Sequence, residues 1–285
     1  MTTLVSAWNE AKRRLEKAGI DSPVIDARLL VEAAAGATRA DILADPRRAL
    51  DETQTEALNA LVARREKREP VSHILGAKGF WKIMLRVTPA VLAPRPDTET
   101  ILDVVLPLFG ESAAFSVLDL GVGSGAILLA ILAERPAARG LGVDASDDAL
   151  AVARENAANL GLAGRAVFTH TDWTAGLDND QFDLVVSNPP YVRRGDIASL
   201  PPEVRNHEPR MALDGGRDGL DAFRAIAPQI LRVLKPGGRF AVEFGLGQRD
   251  AVRALFAAAG AIELAVTRDL ADHDRVLAGR KKGLG

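Results

Sequence analysis

The run Asp183 to Val192 reads Asp-Leu-Val-Val-Ser-Asn-Pro-Pro-Tyr-Val. Leu184 to Ser187 have the length and branching of a buried strand. Two prolines then end it, since neither has an N–H to give to a ladder, and Asn188 is left at the strand's carboxyl end. In an open α/β sheet that is where ligands bind. Successive prolines also hold Asn188 and Pro189 extended. The side-chain carbonyl of Asn188 and the backbone carbonyl of Pro189 are therefore offered at a fixed place. Two such acceptors suit a planar –NH2 group. Its nitrogen is a poor nucleophile because the lone pair is delocalised; holding both N–H bonds lets it pyramidalise and aim that pair at an electrophile. Tyr191, the single tyrosine of the chain, is placed to stack on the substrate plane. A tight turn over a packed tyrosine is the plainer alternative, and a glycine loop upstream argues against it.

That loop is Gly121-Val122-Gly123-Ser124-Gly125, preceded by Asp119-Leu120. Gly121, Gly123 and Ala126 also fit the dinucleotide pattern, which on its own is weak. Glycine at three alternate positions suits a cofactor whose amino-acid end and sulfonium lie over the loop. Asp119 is expected to accept from its ammonium group, with local capping as the alternative. Asp144 ends the next strand and is placed for two ribose hydroxyls, a role that serves a nicotinamide dinucleotide and S-adenosylmethionine equally. Asp172 and Trp173, ending the third strand, are expected to bracket an adenine, or else form a capped turn. His73, His170, His207 and His273 lack metal-ligand spacing, and no metal is expected. Glu243 either lines the pocket or is a solvated strand end.

The elements that must position these groups alternate. Strands are expected at Ser116–Leu120, Leu141–Val143, Ala166–His170, before Asn188, and at Arg239–Glu243, Ile262–Val266 and Arg275–Leu277. Helices intervene, one of them starting at Ser146. This is the pattern of a doubly wound, mostly parallel α/β sheet of seven strands. Upstream the pattern is helical. Leu4, Trp8, Ala11 and Leu15 share a face; Ser22-Pro23 starts a second helix that Gly36 ends; a short one spans Thr38 to Ala44; Asp51 or Thr53 opens a longer one. Phe80, Trp81, Ile83, Leu85, Val87 and Val91 give short strand-like segments, most simply a hairpin, and Asp97 is the expected N-cap of a helix through Leu108. The expected domains are residues 1–75 (a helical bundle that docks substrate), 76–95 (the hairpin connector) and 96–285 (the catalytic domain).

The totals narrow the classes. With 285 residues, 47% hydrophobic and 26% charged, the chain has ample material for a core. The absence of cysteine excludes disulfides, thiolate metal sites and a cysteine nucleophile. The longest apolar run, Ala126 to Ala133, falls far short of the ~20 residues of a membrane span, and Met1 to Arg14 do not form a signal peptide. A cytoplasmic monomer is expected. A net charge of −2 argues against a nucleic-acid substrate, though Arg193, Arg194, Arg205, Arg210 and Arg217 could face a polyanionic partner; solvated surface is the plainer reading.

The glycine loop and the Asn188-Pro189-Pro190-Tyr191 motif together resemble the class I S-adenosylmethionine-dependent methyltransferases that act on planar amino groups. The helical N-terminal region, Glu69-Pro70, Phe80-Trp81, the Pro94-to-Glu99 run, Glu208-Pro209 and Arg268-Asp269 narrow the resemblance. They are similar to the HemK/PrmC family, the glutamine-N5 methyltransferases of peptide chain release factors. The resemblance implies a Rossmann-like fold, and S-adenosylmethionine bound by Gly121 to Gly125, Asp144, Trp173 and Asn188, leaving as S-adenosylhomocysteine. It also implies that Asn188, Pro189, Pro190 and Tyr191 hold the glutamine amide of the Gly-Gly-Gln motif of class I release factors. Val122 departs from the threonine usual in the family. The alternatives are transfer to a ribosomal-protein glutamine, to DNA adenine N6 or to RNA guanine N2, or a non-catalytic module that docks on translation factors.

Overall fold

The computed structural model describes residues 2–283, so the first residue and the last two of the expected domains lie outside the described residues. The chain forms two compact units. One runs to Ala77 and takes in Pro201–His207; the other holds Lys78–Leu200 and the residues from Glu208 onward.

The first unit contains α1 (Leu4–Lys17), α2 (Pro23–Ala35), α3 (Arg39–Ala44), α4 (Glu52–Glu66) and α5 (Val71–Leu75). Thr3, Thr38 and Asp51 each close a reciprocal capping box, which satisfies two otherwise orphaned N–H groups at the start of α1, α3 and α4. Ser22 precedes α2 but makes no side-chain cap; Pro23 at the first position provides the start instead. Leu4, Leu15, Leu30, Val31, Leu58 and Val62 meet in one apolar core. Beside it, buried Arg65 donates to Asp26 at 2.7 Å and to Glu203 at 3.0 Å. That pairing draws the distant Pro201–His207 segment into this unit.

The second unit starts with the hairpin β1 (Ala77–Phe80) and β2 (Ile83–Arg86), whose first residue belongs to the first unit. Then come α6 (Thr100–Val105), β3 (Ser116–Leu120), α7 (Ala126–Glu134), β4 (Arg139–Asp144), α8 (Asp147–Asn159), β5 (Ala166–His170) and β6 (Phe182–Ser187). After α9 (Pro202–His207), a part of the first unit, follow α10 (Asp221–Val233), β7 (Leu234–Glu243), α11 (Arg249–Ala258), β8 (Ile262–Arg268) and β9 (Asp274–Arg280).

The sheet has seven strands in the order β5-β4-β3-β6-β7-β9-β8. All neighbours are parallel except β9, which runs antiparallel to β7 and β8. β3 and β6 are buried on both faces, as their continuous apolar character demands. α7 is apolar all round and is sealed in the core. Three local expectations are corrected. Asp97 caps nothing: a 3₁₀ turn, Pro96–Glu99, begins after Arg95, and α6 follows it with no side-chain cap. β7 starts at Leu234, earlier than expected, because Phe182 pairs with Leu234 before the register shifts. The strand-like residues after β2 do not pair; Val87, Val91 and Ala93 pack on Ala149 and Val152 of α8.

Candidate functional site

The strand order reverses between β3 and β6, which pair in register with Leu120 beside Ser187. The glycine loop and the asparagine loop therefore leave neighbouring strands at the same level, at the topological switch point where open α/β sheets bind ligands. A cavity of about 470 Å³ opens there, within the size of a small-molecule site.

The glycine loop forms its floor. Gly121 and Val122 both donate to the Val143 carbonyl at 2.9 Å, folding the loop over the end of β4. Gly121, Gly123 and Gly125 have φ of +70°, +53° and +85°, a region costly for any residue with a Cβ. A Cβ on Gly121 would stand 3.9 Å from the Trp173 ring, in the space between loop and indole. Ser124 is buried, and its carbonyl accepts from Asn156 at 2.9 Å. Val122 lines the cavity while its side chain packs inward; a Cβ on Gly142 would meet it at 2.7 Å.

Asp144 lines the same cavity. One of its oxygens accepts from Gly123 N and the other from Ser146 N, each at 2.9 Å. A carboxylate has about four acceptor positions, so two backbone bonds fix its plane and leave lone pairs for a diol. Asp172 and Trp173 also line the cavity. Trp173 is held at φ +52°, a strained value for a bulky residue and common at ligand clamps.

Asp119 does not reach the cavity. It is buried beneath the loop, Oδ2 accepts from Leu128 N at 3.1 Å, and Oδ1 has no partner among the described residues. Burial, with the Asp144 charge adding to it, pushes its carboxyl up to about 8. The bond from Leu128 N is local capping under the start of α7, the alternative weighed for this residue.

Asn188 and Pro190 face the cavity, and Pro189 is buried between them. Asn188 Nδ2 donates to Thr98 Oγ1 at 3.1 Å. Tyr191 is half-buried, and its hydroxyl donates to Glu243 Oε1 at 3.0 Å. Burial is the main cause that raises the Tyr191 phenol; the neighbouring Glu243 adds to it. Burial likewise raises the Glu243 carboxyl, against bonds from Thr98 and Tyr191 and the charge of Arg275.

The loop is clamped by residues whose roles the sequence did not disclose. Gln248 donates to the carbonyls of Tyr191 at 3.0 Å and Gly219 at 3.1 Å, and accepts from Gly245 N at 2.9 Å. Val192 and Gly215 exchange backbone bonds with each other's segment, and a Cβ on Gly215 would fall 2.8 Å from both the Pro190 carbonyl and Tyr191 Cα. Arg275 bridges Asp269 at 3.0 Å and the Phe244 carbonyl at 3.3 Å. Thr98 had a signal only as part of the run before α6. Gln248 had none, because its partners are backbone atoms distant in sequence. Glu243 is buried and pairs with Tyr191; it does not line the cavity. His170 stands 2.9 Å from Asp147 and His273 3.7 Å from Asp269, both at the surface.

Residues 6–76 match the family model described as the PrmC N-terminal domain, and residues 111–254 match a methyltransferase domain. The chain is 64% identical to the release factor glutamine methyltransferase of Caulobacter vibrioides, covering 99% of this chain and 98% of that one. It is 46% identical to the protein of the same name from Rhodospirillum rubrum, over 95% and 83% of the two chains. Among solved structures, a methyltransferase from Pyrococcus furiosus superposes with a TM-score of 0.52 at 15% identity, covering 79% of this chain and 98% of that one. That likeness concerns the fold. No helix among the described residues is long and apolar enough to cross a membrane.

Proposed function

The chain belongs to the release factor glutamine methyltransferase family, and on that basis we propose that it methylates the side-chain amide nitrogen of the Gly-Gly-Gln glutamine in class I release factors. S-adenosylmethionine is the cofactor of this reading. Its groups fit the residues present: a glycine floor without Cβ atoms, a carboxylate with lone pairs to spare at Asp144, and an indole at Trp173. When bound it supplies an electrophilic methyl group on a sulfonium.

Asn188 and the Pro189 carbonyl accept the two amide protons, and Tyr191 orients the amide plane. The amide nitrogen is thereby activated by geometry. Proximity and orientation supply roughly 7–11 kcal/mol in well-aligned systems, enough to carry most of a rate enhancement. Methylation makes the nitrogen acidic, and its proton leaves to solvent or to a water on a carbonyl, so no strong base is needed. Asp214, which also lines the cavity, is already engaged, accepting from Gly216 N at 3.0 Å and from Arg194.

The observation that carries the reading is the in-register adjacency of Leu120 and Ser187, which sets the cofactor floor beside the amide-holding loop. A cytoplasmic monomer acting on a protein, without a nucleic-acid substrate, completes it. The test offers labelled S-adenosylmethionine in parallel with purified release factor, its Gly-Gly-Gln to Gly-Gly-Ala variant, duplex DNA and ribosomal RNA. Label on the wild-type factor alone supports the reading; label on nucleic acid keeps the methyltransferase and discards the protein acceptor.

A further inference from the structure

Two stretches that stand out in the sequence, the Pro94-to-Glu99 run and Glu208-Pro209, meet at the cavity wall and take no part in the methyl transfer itself. Arg95 Nη2 donates to both carboxylate oxygens of Glu208 at 2.8 Å. The Glu208 side chain is 1% exposed and that of Arg95 40%, so the carboxylate is the buried anchor and the guanidinium is the part presented. Arg95 lines the cavity. With Nη2 committed to Glu208, the Nε and Nη1 donors make no hydrogen bond among the described residues.

Charge decides what those donors can take. Among the described residues that line the cavity Arg95 is the single cation, and Asp144, Asp172, Asp214 and Asp221 share the wall with it. S-adenosylmethionine carries a sulfonium, an ammonium and one carboxylate. An acidic wall suits the first two and repels the third, which has one cation to go to. The acceptor glutamine and the glycines before it offer only neutral carbonyls, which gain less from a full charge. Position agrees with charge. Ala93 packs on Ala149 and Val152 of α8, while Thr98, whose N–H donates to the Arg95 carbonyl at 3.1 Å, is bonded to Asn188. Arg95 therefore stands along the chain between the α8 wall and the asparagine loop. The amino-acid end of the cofactor has to cross that stretch to bring its sulfonium to Asn188.

We propose that Arg95, pinned by Glu208, binds the α-carboxylate of S-adenosylmethionine. The inference rests on the cofactor reading and extends it to the one group of the cofactor that the acidic wall cannot hold. Glu208 touches no ligand; it is a positioning residue that keeps the guanidinium in one orientation.

The test measures, by calorimetry on the full chain without acceptor, the binding of S-adenosylmethionine and of its decarboxylated form, which keeps the sulfonium and the amine. The wild type should bind S-adenosylmethionine roughly 10- to 100-fold more tightly than the decarboxylated form, the scale of a hydrogen-bonded charge pair. Arg95→Met should weaken S-adenosylmethionine by a similar factor and bring the two ligands within about threefold of each other. Because Arg95→Met strands the buried Glu208, the Arg95→Met/Glu208→Gln pair is measured beside it; with both charges gone the protein should stay folded and still fail to discriminate. Equal weakening of both ligands, or a discrimination that survives in the double variant, would overturn the inference. So would unchanged S-adenosylmethionine affinity with a raised KM for release factor, which would move Arg95 to the acceptor. A wild type that binds neither ligand would refute the cofactor reading and this pairing with it; a wild type that binds both alike would refute the pairing alone.

Discussion

Ser187 Oγ donates a 2.8 Å hydrogen bond to the carbonyl of Leu120, and both residues are fully buried. The last residue of the strand before the asparagine loop is thus tied to the last residue before the glycine loop. The asparagine loop and the glycine loop are fixed to each other by a bond between the ends of neighbouring strands.

Asn188→Ala removes the side-chain acceptor and leaves the glycine floor and Asp144 intact. Turnover should fall by roughly 10²–10³-fold, the scale of losing one preorganised hydrogen-bonding group. Cofactor affinity measured by calorimetry should change far less. Near-wild-type kcat would remove Asn188 from the chemistry.

Gly215→Ala places a methyl 2.8 Å from the Pro190 carbonyl and from Tyr191 Cα, where the neighbours are backbone and cannot swing aside. The asparagine loop should be displaced by a fraction of an ångström. A loss of about 10²-fold in kcat is expected with the cofactor still bound, read by steady-state kinetics beside calorimetry.

Gln248→Ala withdraws three hydrogen bonds from backbone partners, buried at Gly219 and Gly245 and half-buried at Tyr191. At about 1 kcal/mol each, plus the orphaned groups, the second unit should lose roughly 2–4 kcal/mol. Chemical denaturation with an unchanged m-value checks it.

Asp119→Asn keeps an acceptor for Leu128 N and removes a carboxyl that is shifted from 3.8 to about 8. Below the unfolded value both states hold the proton, and the group has no effect on stability. Between that value and about 8 the unfolded state releases the proton while the folded state keeps it, so wild-type stability falls as pH rises. The penalty is complete above the folded value. The stability gained by Asp119→Asn should therefore grow from pH 4 to pH 8, by at most about 1.4 kcal/mol per pH unit. A difference independent of pH would contradict this account.

Arg65→Ala strands buried Asp26, which accepts from the guanidinium at 2.7 Å, and takes one of its two arginines from Glu203, which Arg68 still holds at 3.0 Å. Removing one partner from a buried ionic cluster costs about 3–5 kcal/mol. Thermal unfolding should show the first unit melting earlier, and proteolysis should reach the Pro201–His207 segment sooner.

Much of the architecture was written locally. The apolar runs of β3 and β6, the glycines after Leu120, and the prolines after Asn188 each act on their own few residues. They forced the strand ends, the tight glycine turn and the stop, so the α/β pattern could be read from order alone. Pro23 likewise disclosed the start of the second N-terminal helix, since proline at a first helical position acts on its own turn.

What stayed hidden depended on contacts across long separations. Strand order put Leu120 beside Ser187, and no periodicity encodes which strands become neighbours. Asp119 offered either an ammonium contact or local capping from its place before the glycines; the bond that its buried side chain accepts from Leu128 N is visible only in the fold. Thr98, Glu243 and Gln248 are ordinary residues in sequence. They acquire roles only because folding brings ninety residues of separation down to one hydrogen bond, as between Thr98 and Asn188. The sequence determined which groups could do the chemistry. The tertiary structure decided which way they face, because orientation at a buried site is set by whatever donor or acceptor the rest of the fold delivers there.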